Sequence, residues 1–199
     1  RFGGKAVVSA SPERFLRRRG HRVETRPIKG TAAEAAVLVR SAKDRAENVM
    51  IVDLARNDLG RVCEFGSVAV PALCTIEPHP GLHHLVSTVT GTLRPGVETG
   101  ALLRATFPPA SVTGAPKPRV LQAIEDLEVS PRGVYCGAVG WIDAGREALD
   151  LNVAIRTFVT TSEGTELGVG AGIVADSDPA AEWRETELKV ARLLSATRS

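Results

Sequence analysis

The stretch from His84 to Leu93 constrains this chain more than any other. Leu85, Val86, Val89 and Leu93 recur there with Ser87, Thr88, Thr90 and Thr92 between or beside them. A period near two describes a strand with one face turned to a core. Arg94-Pro95-Gly96 then makes a turn, and similar apolar segments flank two further short turn sequences, Asp143-Ala144-Gly145-Arg146 and Ser162-Glu163-Gly164. Turns this short join antiparallel neighbours. The order that results is hairpins and meanders interspersed with helices, not a strict strand-helix alternation. It predicts an α+β fold with antiparallel sheets rather than a doubly wound parallel one.

Finer reading places strands at 5–10 and 21–27, the two in hairpin relation, with Ser11-Pro12-Glu13-Arg14 as a turn. Further extended segments are predicted at 62–70, 73–77, 134–142, 149–160 and 166–169. The Ala-rich segment 32–47 suits a helix, continued through 49–54 and stopped by Gly60. Other helices are predicted at 98–107, 118–127 and 180–196, the last capped by Ser177-Asp178-Pro179. Between the second and third of these helical regions lies 108–118, where Pro108-Pro109 and Pro116-Lys117-Pro118 enforce a rigid, irregular loop.

Composition narrows the function classes. With 25 basic and 23 acidic residues the net charge is +2, so nothing drives the whole chain toward nucleic acid or an acidic membrane. No run approaches the roughly 20 apolar residues of a membrane span. The chain opens Arg1-Phe2-Gly3-Gly4 and runs straight into a strand, with no initiator Met and no signal-peptide pattern, as expected of a piece cut from something longer or processed. Cys63, Cys74 and Cys136 have neither metal nor disulfide-scaffold spacing, which predicts reduced cysteines of a cytoplasmic protein. The basic run Arg14, Arg17, Arg18, Arg19, Arg22 and Arg26 is interleaved with only one aromatic, Phe15, and reads as a solvated hairpin rather than a nucleic-acid patch.

Several residues carry chemistry. Glu182, Glu185 and Lys189 share one helix face at offsets of three and four, and Asp44 and Glu47 are likewise three apart. If those two faces meet, the crowded carboxylates need a cation, and Mg²⁺ suits an all-oxygen set. Either pair alone is equally a solvated charged face. Arg156 lies in a segment read as an apolar strand, where it needs an anion or an internal ion pair. Gly170-Ala171-Gly172 is either an N–H nest or a site of close packing. Ser111 and Thr113 precede a helix, as caps or as anion ligands. Lys29 follows a strand, and His84 begins one. Spacing leaves open whether either is catalytic.

Taken together, these segments resemble a known family. They are Ser11-Pro12-Glu13, Pro27-Ile28-Lys29-Gly30-Thr31, Lys43-Asp44-Arg45-Ala46-Glu47 and Val52 to Arg61 (VDLARNDLGR), followed by His84-Leu85-Val86-Ser87, Thr113-Gly114-Ala115-Pro116-Lys117 and Tyr135 to Gly140. Ala154-Ile155-Arg156-Thr157, Gly170 to Ser177 and Glu182-Trp183-Arg184-Glu185-Thr186 complete the set. In this order they resemble the C-terminal part of the chorismate-utilising enzymes, the group of anthranilate synthase component I and aminodeoxychorismate synthase component I. The Pro-Ile-Lys-Gly-Thr form of the second segment is similar to the aminodeoxychorismate synthase branch; anthranilate synthases resemble Pro-Ile-Ala-Gly-Thr.

The resemblance implies a layered α/β sandwich with large antiparallel sheets covered by helices, and one chorismate-binding catalytic domain over residues 1–199 whose upstream strands are absent. It implies amination of chorismate to 4-amino-4-deoxychorismate, on the 4-aminobenzoate and folate path, with ammonia delivered from glutamine by an amidotransferase partner. Lys29 is then the nucleophile, Glu13 the general acid and His84 an active-site base or positioner. Thr31, Ser111, Tyr135, Arg156, Gly170, Gly172 and Lys189 bind substrate. Glu47 and Glu185 bind Mg²⁺, with Asp44 and Glu182 beside them. Another chorismate enzyme, or a non-catalytic chorismate-binding module, remains the alternative. Two departures stand out: Thr31 is followed by Ala32-Ala33-Glu34 where the family continues Arg-Pro-Arg into a longer loop, and Asp44 stands where Glu is common.

Overall fold

The computed structural model describes residues 1, 3–175 and 177–195. The motif residue Asp176 and the last residue of the predicted final helix, Ala196, lie outside them. In chain order the elements are β1 (Ala6–Ser9), β2 (Arg14–Arg19), β3 (Arg22–Arg26), β4 (Ile28–Ala32), α1 (Ala35–Arg40), α2 (Ala42–Gly60), β5 (Ala69–His79) and β6 (Leu82–Thr92). They continue with α3 (Thr99–Thr106), a 3-10 turn at Ala110–Val112, α4 (Lys117–Leu127), β7 (Ala138–Asp143), β8 (Ala148–Val153), β9 (Thr157–Thr161), β10 (Gly164–Leu167) and α5 (Pro179–Ser195). Every strand pairing described is antiparallel, which makes the fold the expected mixture of helices and antiparallel sheets. Among the described residues no helix is long and apolar enough to cross a membrane.

The chain divides into two compact units. One comprises 12–131 and 138–153; the other comprises 1–11, 132–137 and 154–199.

The larger unit is built on a seven-stranded sheet in the order β4-β6-β3-β2-β8-β7, with β5 on the other edge of β6. The alternating segment is thus β6, which pairs with three other strands and lies next to the edge strand β5. β6 pairs with β5 along its length, with β3 at 89–92 and with β4 at 83–86. Pro27 separates β3 from β4, and its carbonyl still accepts from the Ser87 N–H at 3.1 Å, so pairing passes the proline uninterrupted. Leu85 and Val89 of β6 are completely buried, with Leu149 of β8 and Leu102 of α3. Helix α2 packs across β6, β4 and β5.

Its seat is polar. Asn48 is wholly buried. Its amide donates to the Leu85 carbonyl at 3.1 Å, and its carbonyl oxygen accepts from the Ser87 hydroxyl. That hydroxyl oxygen accepts in turn from the Cys74 N–H at 2.8 Å. A buried amide whose amino and carbonyl groups both meet partners in this way specifies one rotation of the helix about its own axis.

The smaller unit has a three-stranded sheet, β1-β9-β10, and helix α5. Ser9 and Thr157 face each other across β1 and β9, their hydroxyl oxygens 2.8 Å apart.

Four local expectations are corrected. The partner of β3 is β2, through a turn at Gly20-His21, while residues 5–10 supply β1 to a different sheet. β2 escaped the sequence reading because its only apolar residues, Phe15 and Leu16, are adjacent and flanked by arginines, with no alternation to mark a strand. The basic run is also not a solvated turn. Arg18 is buried and spends its guanidinium on the Gly20 carbonyl, Thr99 and Glu147, while Arg14 pairs with Glu24 and Asp150, and Arg26 with Glu77. The Ala-rich helix breaks at Ser41, whose hydroxyl caps the Asp44 N–H at 3.2 Å and starts α2 afresh. Segment 149–160 is two strands, and Arg156 lies in the break between them with φ at 49°.

Because Asn48 is completely desolvated, Asn48→Leu should cost about 1–3 kcal/mol, removing the acceptor of the Ser87 hydroxyl and the side-chain donor to the Leu85 carbonyl. Urea unfolding followed by circular dichroism reads this directly; a loss under about 0.5 kcal/mol would rule out an anchoring role.

Candidate active site

Strands and a loop of the larger unit bring two of the predicted catalytic residues, Glu13 and Lys29, together with Ser111. Glu13 immediately precedes β2 and is 5% exposed. Its backbone carbonyl accepts from the Val153 N–H at 3.0 Å, holding the residue against the end of β8. Lys29 lies within β4 rather than after a strand, and its Nζ donates to the Ser111 carbonyl at 3.0 Å. Burial pushes the Glu13 carboxyl above its ordinary 4.5, while hydrogen bonding from the Ser111 side chain, the Lys29 charge and the Ile28 backbone pull the other way. Burial wins, so the neutral acid is favoured relative to a free glutamate. Glu13, Lys29 and Ser111 therefore form one constellation of a proton donor, an amine and a hydroxyl.

His84 is 3% exposed and faces Thr31 across the β4–β6 pair. The Thr31 hydroxyl oxygen stands 2.8 Å from His84 Nδ1. The Thr31 hydroxyl, read as a substrate ligand, thus also meets the histidine and helps fix its ring orientation. The His79 ring packs edge-on against the other side, with centroids 4.9 Å apart.

Asp44, in the first turn of α2, lies against β4 at Gly30, whose φ is +90°. A Cβ at Gly30 would stand 2.9 Å from the Asp44 carboxyl carbon. Both the left-handed conformation and this approach require glycine here. Glu47 lies one turn along, with Lys43 Nζ at 3.9 Å.

The smaller unit gathers its own group. Tyr135 packs so closely on the 168–170 segment that a Cβ at Gly168 would overlap its ring and one at Gly170 would stand 2.8 Å from its hydroxyl. Lys189 of α5 donates to the Gly170 carbonyl at 3.0 Å and pairs with Glu185 at 2.7 Å. Glu182 is 7% exposed and accepts from the Ser177 hydroxyl at 2.7 Å. Arg156 holds its left-handed backbone with its carbonyl accepting from the Ala10 N–H at 3.0 Å. A non-glycine residue in that region stores strain that usually marks a functional position.

The acidic residues thus form two pairs, Asp44 with Glu47 on α2 and Glu182 with Glu185 on α5. Among the described residues no three His, Cys, Asp or Glu side chains form a metal-holding group. The donor chemistry of both pairs, carboxylate oxygen throughout, is that of a hard divalent cation.

Against this geometry the comparisons are decisive for the family. The profile of the chorismate binding enzyme family matches residues 1–195. The chain belongs to the chorismate-binding enzymes. It is 50% identical to an aminodeoxychorismate synthase from Streptomyces pristinaespiralis over 99% of this chain and 29% of that protein. It is 48% identical to aminodeoxychorismate synthase component 1 from Klebsiella aerogenes over 95% of this chain and 44% of that one. The crystal structure of anthranilate synthase component I from Streptococcus pneumoniae TIGR4 superposes with a TM-score of 0.87 at 38% identity, covering 96% of this chain and 44% of that chain. The chain therefore spans less than half the length of these chorismate-binding relatives.

Two features escaped the sequence reading. Asn48 gave no signal, because one polar residue in a helix reads as surface. The pair Lys117–Asp58, 2.6 Å apart, joins two segments already quoted for the resemblance, but nothing in either announces the other.

The raised carboxyl of Glu13 makes a stability prediction. Its neutral form suits the fold, so the stability tied to it is complete below 4.5 and is lost as pH climbs through the raised value. Glu13→Gln cannot ionise and should gain thermal stability over the wild type progressively as pH rises from about 4.5 toward neutrality. A flat or inverted difference in unfolding midpoints across that range would contradict the assignment.

Proposed function

We propose that this chain aminates chorismate at C4 with ammonia, giving 4-amino-4-deoxychorismate, through a covalent adduct on Lys29. One observation carries the reading: the amine of Pro27-Ile28-Lys29-Gly30-Thr31 reaches the Ser111 carbonyl beside a buried carboxyl held toward its neutral form. The names of the Streptomyces and Klebsiella relatives support the same product.

In this reading the uncharged Lys29 amine attacks ring carbon C2. The two ring double bonds shift, the C4–oxygen bond breaks, and Glu13 gives its proton to the departing hydroxyl, which leaves as water. Ammonia then attacks C4, the double bonds shift back and the C2–nitrogen bond breaks, returning the electron pair to Lys29. Ser111 orients both the amine and the acid. His84, held by Thr31, positions the ring, and Tyr135, Arg156 and Lys189, with the Gly170 and Gly172 backbone, take the substrate's carboxylates. Magnesium held by Glu47 and Glu185, with Asp44 and Glu182, would supply binding and charge neutralisation for the ring carboxylate. Ammonia comes from glutamine through an amidotransferase partner, in keeping with the "component 1" in relatives' names.

The test incubates the protein with chorismate, Mg²⁺ and ammonium, then adds a lyase. The expected product is 4-aminobenzoate. Anthranilate as sole product would favour the second reading, which rests on the match to an anthranilate synthase component I. Lys29→Ala should abolish a chorismate-derived adduct seen by intact mass spectrometry and lower turnover by at least about a hundredfold. Survival of the adduct would exclude Lys29 as nucleophile.

A further inference from the structure

Lys117 lies outside the residues assigned so far, yet one ammonium group holds the site's loop closed. Its Nζ donates to the Thr106 carbonyl at 3.0 Å and to Asp58 at 2.6 Å. Thr106 ends α3 and Lys117 begins α4, so the amine ties together the two ends of the intervening loop. Asp58 lies near the end of α2, so the same amine fastens that loop to the helix bearing Asp44 and Glu47.

The loop is stiff within itself. Gly114 N–H donates to the Ala110 carbonyl at 3.0 Å, and the Thr113 hydroxyl to the Pro109 carbonyl at 3.0 Å. A rigid block fixed at its ends moves as a whole when an end is released. Ser111 sits in the middle of this block, with its carbonyl on Lys29 and its side chain on Glu13. A cavity of about 30 Å³, room for about one water, has Glu13, Ser111, Thr106 and Asp58 in its wall. The anchor and the reacting groups therefore share one lining. Burial pushes the Asp58 carboxyl above 3.8 against the pull of Lys117 and Arg61, so the pair stands in a weakly screened environment.

We propose that Lys117 and Asp58 are positioning residues, which act on Lys29 and Glu13 by fixing where the 107–116 loop presents Ser111. For its effect on turnover the proposal rests on the amination reading above; for its effect on Lys29 it does not.

The experiment uses the full protein in four forms: wild type, Lys117→Met, Lys117→Arg and the nearly isosteric Asp58→Asn. Two readouts are taken below the unfolding transition of each. The first is steady-state turnover of chorismate with ammonium. Lys117→Met and Asp58→Asn should lower kcat at least about tenfold while KM stays within about twofold, and Lys117→Arg should recover part of the loss. The second is acylation of Lys29 by acetic anhydride, followed by peptide mass spectrometry, with Lys5 and Lys43 as internal references. Lys29 should label several-fold faster in the two disrupted variants and the references should not. Should Lys117→Met fail to fold, Asp58→Asn and Lys117→Arg decide the matter. Unchanged kcat with unchanged Lys29 labelling in a folded variant overturns the proposal, as does an equal rise at all three lysines or a loss confined to KM. A wild type that labels as expected but never turns over chorismate defeats the amination reading alone.

Discussion

Everything in the larger unit hangs on the buried amide of Asn48. Apolar contacts hold α2 on the sheet but leave its rotation loosely specified, since Ile51, Val52, Ala55 and Leu59 offer a broad buried stripe. The hydrogen bonds from Asn48 to Leu85 and Ser87 remove that freedom, because an amide wholly cut off from water must meet its partners in one geometry. Once the rotation is set, Asp44, one turn earlier, lies against Gly30, and Asp58, near the helix end, meets Lys117. The same network reaches Cys74, where β5 takes a left-handed residue and shifts register against β6. Ser87 supplies the Cys74 N–H with the acceptor that an irregular ladder denies it.

Burial then sorts the charges. Arg18 and Glu13 are both among the most buried polar residues of the unit, yet their surroundings differ in kind. Arg18 is matched donor for acceptor by Gly20, Thr99 and Glu147, the expected outcome for a charge that must be satisfied to be buried. Glu13 is left with desolvation as its largest influence and only partial compensation from Ser111, Lys29 and Ile28. A structural ion pair needs full compensation; the proton-donor role proposed for Glu13 calls instead for the partial balance found there.

Much of this was legible in residue order. Alternation at 84–93 marked β6, turn residues at 143–146 and 162–164 marked two hairpins, and Gly60 marked the end of α2. The motif segments brought Glu13, Lys29, His84 and Asp44 to notice one by one, and the place of Ser111 before a helix brought that residue. The failures share a cause. β2 was hidden because the arginines that flank Phe15 and Leu16 resemble a charged surface until their carboxylate partners are known. The break at Arg156 was hidden because Ala154, Ile155 and Thr157 carry no turn chemistry.

Sequence by itself determined the antiparallel α+β class and the positions of most turns, because those depend on periodicity and local backbone preference. Tertiary structure alone decided which strand pairs with which, that the Thr31 hydroxyl serves His84, that Ser111 offers its carbonyl to Lys29, and that Lys117 clamps the loop to Asp58. Those contacts join residues roughly fifty to eighty positions apart. No local rule links such residues: their meeting is set by sheet register and by the burial of α2, both of which minimise the free energy of the whole unit rather than of any segment.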